Sequence, residues 1–451
     1  MKHKLKLIFF AILTLIVTLG IVFYMFFFVT LNPSDIEFEI IDLPKSPIQH
    51  TNGTWWGYNK GKVVRHDDTV YTYYIDNESL NDGEPNADNP SRVVLIKINP
   101  DLSVVEFDSL WTSRTPALCI DSSGRLLVSN FEPTSSEDNG SEGKLMLYTY
   151  TFNMNGEFKR VEETVIPQTE EGPAVNFRYG MAIDDENNLM IAFGTTLFEN
   201  NSQNHVVLAY VRAASDQTWR VHLLAENLEE DNYYTYPLIN GLEDLRALNV
   251  QDACFPEMTQ FDYPCFYQHV RYYENGLSPK IIDYSHLDIA KDRPQLIEHT
   301  GFHLASDGNI HIMTRAWIDG PPNPYKGTFD YITGDIEHLE KINTDYLSSG
   351  FNWLRFFELN GDVFMVGTTF NKVGIIDPYN QVTYWLDIPK NDIKGSYLFT
   401  NAKRTGSDTN KYLDLYLVPG TQEFYNHSAK YIRIDLTELN RFLMRQTVKE
   451  E

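Results

Sequence analysis

Cationic or titratable side chains recur at one position of a repeated hairpin in this sequence. They stand five to seven residues before the turn of their own hairpin, and they are Lys60, Arg114, Arg178, His299 and Arg355. Guanidinium groups bind carboxylate and sulfate groups through paired hydrogen bonds. If the repeats bring these residues together, they form a site for an anionic ligand. The alternative is that they pair with acidic residues between neighbouring repeats and only brace the structure.

Aromatic and acid–base residues stand near these cations. An aromatic ring offers a flat apolar face on which a sugar ring can pack. The further candidates for ligand contact are Trp55, Trp56, Tyr58, Tyr234 and the cation Arg293. Acid–base catalysis on a sugar needs a titratable group beside the bound anion, and Tyr179, His299 and Tyr397 are the candidates by position. For His299 the alternative is a hydrogen-bonded structural role.

The cations belong to a strand–turn–strand unit that occurs seven times. Its first turn residues are at positions 66, 121, 184, 240, 306, 360 and 406, so the intervals run from 46 to 66 residues. Several units are followed by two more strand-like runs, as in Arg92–Leu110 and His205–Leu224. Four strands in each of seven repeats predict an all-β, seven-bladed β-propeller whose innermost strands line a central channel.

The last repeat has only three strands of its own, because strand-like sequence ends at Ala429–Leu436. The segment Ile36–Pro44 can supply the fourth strand, and we expect it to close the last blade and protect the sheet edge. The alternative is an unpaired linker. The propeller is thus expected over residues 32–436, with a helical tail at residues 437–451.

Residues 7–31 form an apolar run of 25 residues without a formal charge. As a helix, the run would measure roughly 37 Å, which exceeds the ~30 Å hydrocarbon core of a membrane. Lys2, Lys4 and Lys6 precede it, so the positive-inside rule places residues 1–6 in the cytoplasm. These features predict a single-pass anchor with the remaining chain outside the cytoplasm, in the periplasm or extracellular space. A cleaved signal peptide is the alternative, although its apolar region is usually shorter.

Composition excludes several classes of function. With 62 acidic and 37 basic residues the formal charge is −25, so the chain repels phosphate backbones and general nucleic-acid binding is excluded. Three cysteines exclude a disulfide-rich scaffold. Cys254 and Cys265 flank an irregular loop, and in an oxidising compartment they are expected to form a disulfide. Cys119 is expected to be a buried apolar residue.

The acidic residues in the turns could be metal ligands, but the geometry of hairpin turns explains their presence better. Asp, Asn and Gly tolerate the backbone angles of tight turns, and none of these segments has the spacing of a calcium-binding loop. We therefore expect no metal and no cofactor, with a structural Ca²⁺ ion left open. The sequence does not indicate an oligomeric state.

The hairpin PALCIDSSGRLLV at residues 116–128 resembles the repeats of bacterial BNR-repeat propellers of the sialidase superfamily. WWGYNKGKVVRHDD, NFRYGMAID and FNWLRFFELNG resemble segments of membrane-bound or secreted BNR-like proteins, and the resemblance covers residues 53–436. The sequence differs from the related families at two motifs. Ser215–Trp219 lacks the glycine of a sialidase aspartate box, and Thr112–Thr115 replaces the histidine-containing segment expected in ulvan lyases, which resemble this chain in architecture.

The resemblance implies a propeller that acts on carbohydrate outside the cytoplasm. Together with the convergent cations, it leads us to expect binding of an anionic glycan (a uronate, a sialoside or a sulfated sugar) at the channel mouth. If the protein is an enzyme, a glycoside hydrolase or a polysaccharide lyase is expected. The alternative is a non-catalytic propeller that binds proteins or cell-envelope polymers.

Overall fold

The computed structural model describes the larger part of the chain. The described residues are 36–44, 60–76, 90–112, 115–134, 143–153, 155–166, 175–199, 202–216, 218–228, 238–242, 246–255, 265–273, 280–282, 297–317, 327–335, 337–347, 351, 354–369, 372–386, 388, 396–419 and 428–450. All structural statements below refer to these residues.

The described secondary structure is almost entirely β. The strands are β1 (Glu39–Asp42), β2 (Val64–His66), β3 (Thr69–Asp76), β4 (Ser91–Ile98), β5 (Val104–Thr112), β6 (Ala117–Ile120), β7 (Leu126–Pro133), β8 (Gly143–Phe152), β9 (Phe158–Ile166), β10 (Val175–Ile183), β11 (Leu189–Glu199), β12 (Ser202–Arg212), β13 (Arg220–Leu228) and β14 (Leu238–Leu242). They continue with β15 (Arg246–Phe255), β16 (Cys265–Tyr273), β17 (Lys280–Ile282), β18 (Ile297–Leu304), β19 (Ile310–Trp317), β20 (Gly327–Gly334), β21 (Leu339–Ile342), β22 (Leu354–Leu359), β23 (Asp362–Thr368), β24 (Val373–Asp377), β25 (Val382–Leu386), β26 (Ser396–Thr400), β27 (Tyr412–Pro419) and β28 (Lys430–Asp435). A 3-10 helix covers Lys403–Thr405, and α1 covers Leu436–Glu450.

These strands form seven antiparallel sheets of four strands each. Sheets 1 to 6 are β2–β5, β6–β9, β10–β13, β14–β17, β18–β21 and β22–β25, and sheet 7 has the order β26-β27-β28-β1. The first strands of successive sheets contact one another from β2 through β26. Sheet 7 meets sheet 1 through Arg65 and Asp414, which completes a ring around the first strands. The prediction of an all-β propeller with four-stranded blades is confirmed.

Burial follows from this radial arrangement, because the two faces of a sheet both pack on neighbouring sheets. β24 is buried at every position and β23 at every position but its first. The strands therefore have nearly continuous apolar sequences such as VFMVG, without the alternation of a half-exposed sheet. The outer strands are less buried. β5 has exposed side chains at several positions, including Trp111.

The acidic turns serve the hairpins that they close. The Asp121 carboxylate accepts the backbone N–H groups of Ser123 and Arg125, and Asp184 accepts those of Glu186 and Asn188 in the same way. Such side-chain hydrogen bonds replace backbone partners that the turn leaves without one. The turn interpretation of these acids thus accounts for their contacts.

Sheet 7 combines strands from distant parts of the chain. β1, which lies within the segment Ile36–Pro44, pairs with β28 so that Glu39 faces Arg433 and Asp42 faces Lys430. Both pairs are ion pairs, with 2.5 Å between Arg433 Nε and Glu39 Oε2. Without β1 the outer edge of β28 would be an open row of backbone hydrogen-bonding groups.

The fold prediction is corrected in its membrane part, and so is the predicted localisation. Among the residues that the structure describes, no helix is both long and apolar enough to cross a membrane. The described helix α1 has 15 residues and carries charged side chains such as Glu438 and Arg441, which form an ion pair. The anchor predicted at residues 7–31 lies outside the described residues. A transmembrane helix and a single-pass membrane localisation are therefore not retained.

Candidate functional site

A pocket lies among the innermost strands of sheets 1, 5, 6 and 7. Its cavity volume is about 30 Å³, and it is partly open to solvent. Its lining residues come from β18, β22, β26 and the segments beside β2 and β26, and they are Lys60, Gly301, Phe302, His303, Arg355, Phe356, Phe399, Thr400, Ala402 and Arg404. We call it the channel pocket, because the strands that line it also line the centre of the ring.

The lining of the channel pocket is cationic. Lys60, Arg355 and Arg404 contribute to it, and none of its ten described lining residues is an Asp or a Glu. Lys60 is held in place by two contacts: its Nζ donates to the Thr115 carbonyl oxygen at 2.6 Å and lies 3.7 Å from the ring centroid of Tyr179. The charge is thus positioned by the neighbouring sheets 2 and 3.

A further lysine lies just behind this lining. Lys62 is fully buried, and its Nζ lies 4.0 Å from the ring centroid of Phe399. The Arg355 guanidinium lies 5.3 Å from the centroid of the same ring. Phe399 therefore lies beside the Lys62 amine and the Arg355 guanidinium and also forms part of the pocket wall.

Burial and mutual repulsion act on these groups. Burial, together with the charges of Lys60 and Arg355, lowers the pKa of Lys62 well below its ordinary value. Burial also lowers the pKa of Arg404 to about 10, so this guanidinium remains charged at neutral pH. Positive charges that are kept close together in a partly desolvated place attract an anion more strongly than charges in water do. The arrangement is suited to binding a carboxylate or a sulfate.

One end of the channel is filled by the segment Ala402–Ser407, which we call the plug segment. It contains the 3-10 helix and contacts the innermost strands β6, β10 and β14. Gly406 adopts φ 72°, and a Cβ atom there would lie 1.8 Å from the Ile120 carbonyl oxygen. Glycine is therefore required both by the left-handed backbone and by the close approach of sheet 2.

A second pocket adjoins the channel pocket on the side of the hairpin turns. The two share His303, Phe356 and Ala402 in their linings. His303 Nε2 lies 2.9 Å from Glu358 Oε1, and the same oxygen accepts the Ser306 N–H at 2.7 Å. The carboxylate thus orients the imidazole that separates the pockets. A histidine held by a carboxylate is an arrangement that can accept or donate a proton.

The pKa of the Glu358 carboxylate predicts how the stability of the fold depends on pH. Burial raises its pKa, but the bonds from His303 and Ser306 outweigh burial and lower it from 4.5 to about 2. A depressed carboxylate pKa stabilises the fold above the unfolded pKa, and the stabilisation is lost as pH falls towards the folded pKa. Glu358→Gln should therefore lower the free energy of unfolding above pH ~4.5, by at most about 3 kcal/mol. The difference from wild type should vanish near pH 2.

Urea unfolding of both proteins at a series of pH values measures this difference. Glu337→Gln is a suitable control, because Glu337 is an exposed residue on the far turn of sheet 5. A deficit that stays constant from pH 6 to pH 2 would contradict the role assigned to the Glu358 charge.

The structure brings together only part of the predicted site. Lys60 and Arg355 both line the channel pocket. Tyr179 lies beneath Lys60, fully buried, and its hydroxyl donates to the Ser129 carbonyl oxygen at 2.7 Å. Burial raises its pKa. Tyr397 is half-buried and packs against the apolar cluster between sheets 7 and 1.

The other predicted residues receive no side-chain description. Arg178 lies in β10 and His299 in β18, and only their backbone is described. The candidates that lie outside the described residues are Arg114, Arg293, Trp55, Trp56, Tyr58 and Tyr234.

Cys254 pairs with Phe266 and Cys265 with Phe255, so the cysteines are on adjacent strands one residue out of register. The disulfide remains a prediction.

Lys62, His303 and Arg404 were not predicted from the sequence. Cations were compared at positions five to seven residues before each turn. Lys62 and His303 stand closer to their turns than that, so the comparison did not include them. Arg404 belongs to a segment of 11 residues between β26 and β27, which is much longer than the loop of two residues between β22 and β23. The unusual length of the seventh hairpin was a signal that this segment has a role of its own.

Comparison with known proteins shows the fold. No protein-family model matches the chain, and no curated protein sequence is significantly similar to it. Among solved structures, the polysaccharide lyase Uly1 aligns over 87% of this chain and 92% of its own, with 10% identity and a TM-score of 0.55. An ulvan lyase of family PL25, bound to -[GlcA(1-4)Rha3S]-, aligns over 89% and 94%, with 9% identity and a TM-score of 0.52. Trypanosoma rangeli sialidase aligns over 92% and 62%, with 9% identity and a TM-score of 0.42. The chain thus has a β-propeller fold similar to that of polysaccharide lyases.

Proposed function

We propose that this protein binds an anionic carbohydrate at the channel mouth, with the acidic group of the sugar directed into the channel pocket. The observation that carries the proposal is the convergence of Lys60, Arg355 and Arg404 on one pocket, from sheets 1, 6 and 7 of a strongly acidic chain. Such a cluster is stabilised when an anion occupies it. A uronate, a sialoside and a sulfated sugar all offer the required group.

Two further observations support a sugar as the carrier of the anion. Phe356 and Phe399 give the pocket apolar faces beside the cations, and a sugar ring presents both apolar C–H and polar O–H groups. The ulvan lyase with the similar fold was solved with a saccharide that contains a uronate and a sulfate ester. For this chain we propose that the carbohydrate is bound, and we do not propose that it is cleaved. Cleavage would additionally require a proton acceptor, and the residue that fits by position is His303.

A protein or a cell-envelope polymer is the alternative ligand. The outermost strands of sheets 1, 2 and 3 expose apolar side chains, namely Trp111, Val161 and Val221. Contacts to a macromolecule would use that outer surface, and they would not depend on the channel pocket. The two functions are therefore separated by their sensitivity to substitutions in the channel.

Arg355→Ala tests the proposal. Wild-type protein should bind acidic members of a glycan array that covers uronic, sialylated and sulfated sugars. The variant should bind the same sugars at least about tenfold more weakly, because a hydrogen bond between charged groups contributes about 1.5–3 kcal/mol. Isothermal titration calorimetry with the best array ligand measures the change.

Lys372→Ala is the matched control, since it removes an exposed cation from the same sheet 6. It should leave the affinity within about twofold of wild type. Thermal unfolding of all three proteins checks that the fold is intact. A blank array, or equal losses in the two variants, would contradict carbohydrate binding in the channel pocket.

A further inference from the structure

The outermost strand of sheet 2, β9, carries a self-complementary order of charges along an exposed edge. We propose that two copies of this chain associate through β9, with the two strands paired antiparallel about Val161 and related by a two-fold axis. The inference does not depend on the proposed function, because β9 lies at the outer rim of the ring and the channel pocket lies at its centre.

β9 has the exposure that such pairing requires. It is the last strand of its sheet, and in the described part of the chain no further strand pairs with its outer edge. From Phe158 to Thr164 every residue is exposed except Glu163, which is half-buried. Val161 is 52% exposed, so an apolar side chain stands in solvent at the middle of this stretch. An open edge strand is a template on which another chain can pair.

The same seven residues form a regular strand. Phe158 to Thr164 pair with β8 without a shift of register, and the one irregularity of this pairing comes after Thr164. Val161 is the middle residue of the stretch. In a second copy that pairs antiparallel about Val161, residues that are equally distant from Val161 lie opposite each other.

The charges match in this arrangement. Lys159 and Arg160 precede Val161, and Glu162 and Glu163 follow it. Lys159 of one copy therefore faces Glu163 of the other, and Arg160 faces Glu162. By symmetry each contact occurs twice, which gives four opposed pairs of opposite charge. Such cross-strand pairs stabilise a sheet, whereas like charges in the same positions destabilise it.

Contacts within one copy already hold three of these side chains beside the strand. Glu163 accepts hydrogen bonds from Arg212 at 2.5 Å and from the Trp219 indole at 2.6 Å, both in sheet 3 or just before its last strand. Arg160 Nη2 lies 2.5 Å from Glu162 Oε1. Because these groups are ordered before association, less conformational entropy is lost when the two copies meet.

The outer strand of sheet 1 lacks this pattern. β5 also has nine residues, but its charged residues are Glu106 and Asp108, and it has no cation. Two copies of β5 paired about Phe107 would place Glu106 opposite Asp108, which are like charges. We therefore expect β9, and not β5, to join two copies.

Sedimentation equilibrium of the full chain measures the association. One pair of strands buries less surface than a standard interface, so the dimer should be weak and its population should rise with protein concentration. Each copy has a formal charge of −25, but at physiological ionic strength charges more than about 8 Å apart are largely screened. Contacts within the interface therefore decide whether the copies associate.

Reversal of one charge tests the opposed pairs. Lys159→Glu should raise the dissociation constant of the dimer at least about tenfold, because two attractive pairs become two repulsive ones. Lys372→Glu makes the same change of charge at an exposed residue beside sheet 6, and it should leave the constant within about twofold.

A second substitution distinguishes contact between copies from contact within one copy. Lys159 and Glu163 of the same strand are about 13 Å apart, so they do not touch each other. Glu163→Gln alone should weaken association. Added to Lys159→Glu it should strengthen association, because it removes the charge that the first substitution faces in the other copy. Thermal unfolding of each variant checks that the contacts with Arg212 and Trp219 still support the fold.

A cysteine on the two-fold axis tests the register. Directly opposed residues of an antiparallel pair have Cα atoms about 4.5–5.5 Å apart, which suits a disulfide. With diamide as the oxidant, Val161→Cys should give a covalent dimer much faster than Val105→Cys, whose position on β5 is 47% exposed. The wild-type protein measures the background from its own cysteines.

Each measurement has a result that would overturn association through β9. These results are a wild-type protein that stays monomeric at every concentration, equal effects of Lys159→Glu and Lys372→Glu, and equal rates of cross-linking at positions 161 and 105.

Discussion

Asp414→Ala should lower the free energy of unfolding by about 3–5 kcal/mol, because it leaves the buried Arg65 guanidinium without its carboxylate. Arg65 Nε and Nη2 lie 2.7 Å from the two oxygens of Asp414, and both side chains are fully buried. The Tyr431 hydroxyl also donates to Asp414 Oδ1, at 2.5 Å. The pair joins β2 of the first sheet to β27 of the last. Urea unfolding at neutral pH measures the loss.

Two variants test whether burial is the cause. Lys411 and Asp68 join the same two sheets at 2.7 Å, but both side chains are more than half exposed, so Lys411→Ala should have little effect on stability. The double variant Arg65→Met with Asp414→Leu removes both buried charges, and it should be markedly more stable than Asp414→Ala. If all three variants unfold alike, the ion pair is not what couples the first and last sheets.

Gly406→Ala should be the second severe substitution, with a loss of about 3–5 kcal/mol in the free energy of unfolding. The added methyl would lie 1.8 Å from the Ile120 carbonyl oxygen, which is backbone and cannot turn aside. The plug segment would have to leave the inner strands or push sheet 2 outward. Thermal and urea unfolding measure the loss.

Gly361→Ala separates this clash from backbone strain. Gly361 has φ 89°, similar to Gly406 at 72°, but a Cβ atom there meets nothing within 4 Å. Its replacement should cost only the left-handed strain, about 1–2 kcal/mol. Equal losses in the two variants would mean that the plug segment is not packed against Ile120.

The sequence predicted the architecture well where a pattern repeats. Hairpins with turn residues at regular intervals led to four-stranded sheets, because each turn requires Asp, Asn or Gly at fixed places. Asp67, Asn187 and Asn360 occupy these places with positive φ. The segment that contains β1 could be assigned to the last sheet by the same reasoning, since the last repeat had only three strands of its own.

The candidate site was predicted only in part, and the reason is physical. Lys60 and Arg355 were found because they stand at the same distance from their turns as other cations. Arg404 reaches the pocket from a hairpin whose loop departs from the repeat, so no count of residues from a regular turn could place it. His303 is identified by its contact with Glu358, which belongs to a different sheet and depends on how two sheets pack.

From the sequence, a cation in a first strand could either bind a ligand or brace two sheets. Only the packing of the sheets can separate these two roles. Arg65 lies in a first strand, as the pocket cations do, but it forms a buried ion pair with Asp414. Bracing between sheets, the alternative that the sequence left open for the pocket cations, is thus the role of Arg65. The sequence alone did not identify Arg65 as a bracing residue, because its partner Asp414 is 349 residues away in the chain.

The pairing of β1 with β28 has a consequence for biosynthesis. Glu39 is separated from its partner Arg433 by almost the whole chain, so the seventh sheet has to wait until the ribosome has made β28. Contacts of such long range form slowly, and until they form, β26, β27 and the core of the first sheet stay partly uncovered. The nascent protein therefore reaches its closed form only after β28 has been synthesised, and the interval before closure is when it is most exposed to aggregation and to chaperones.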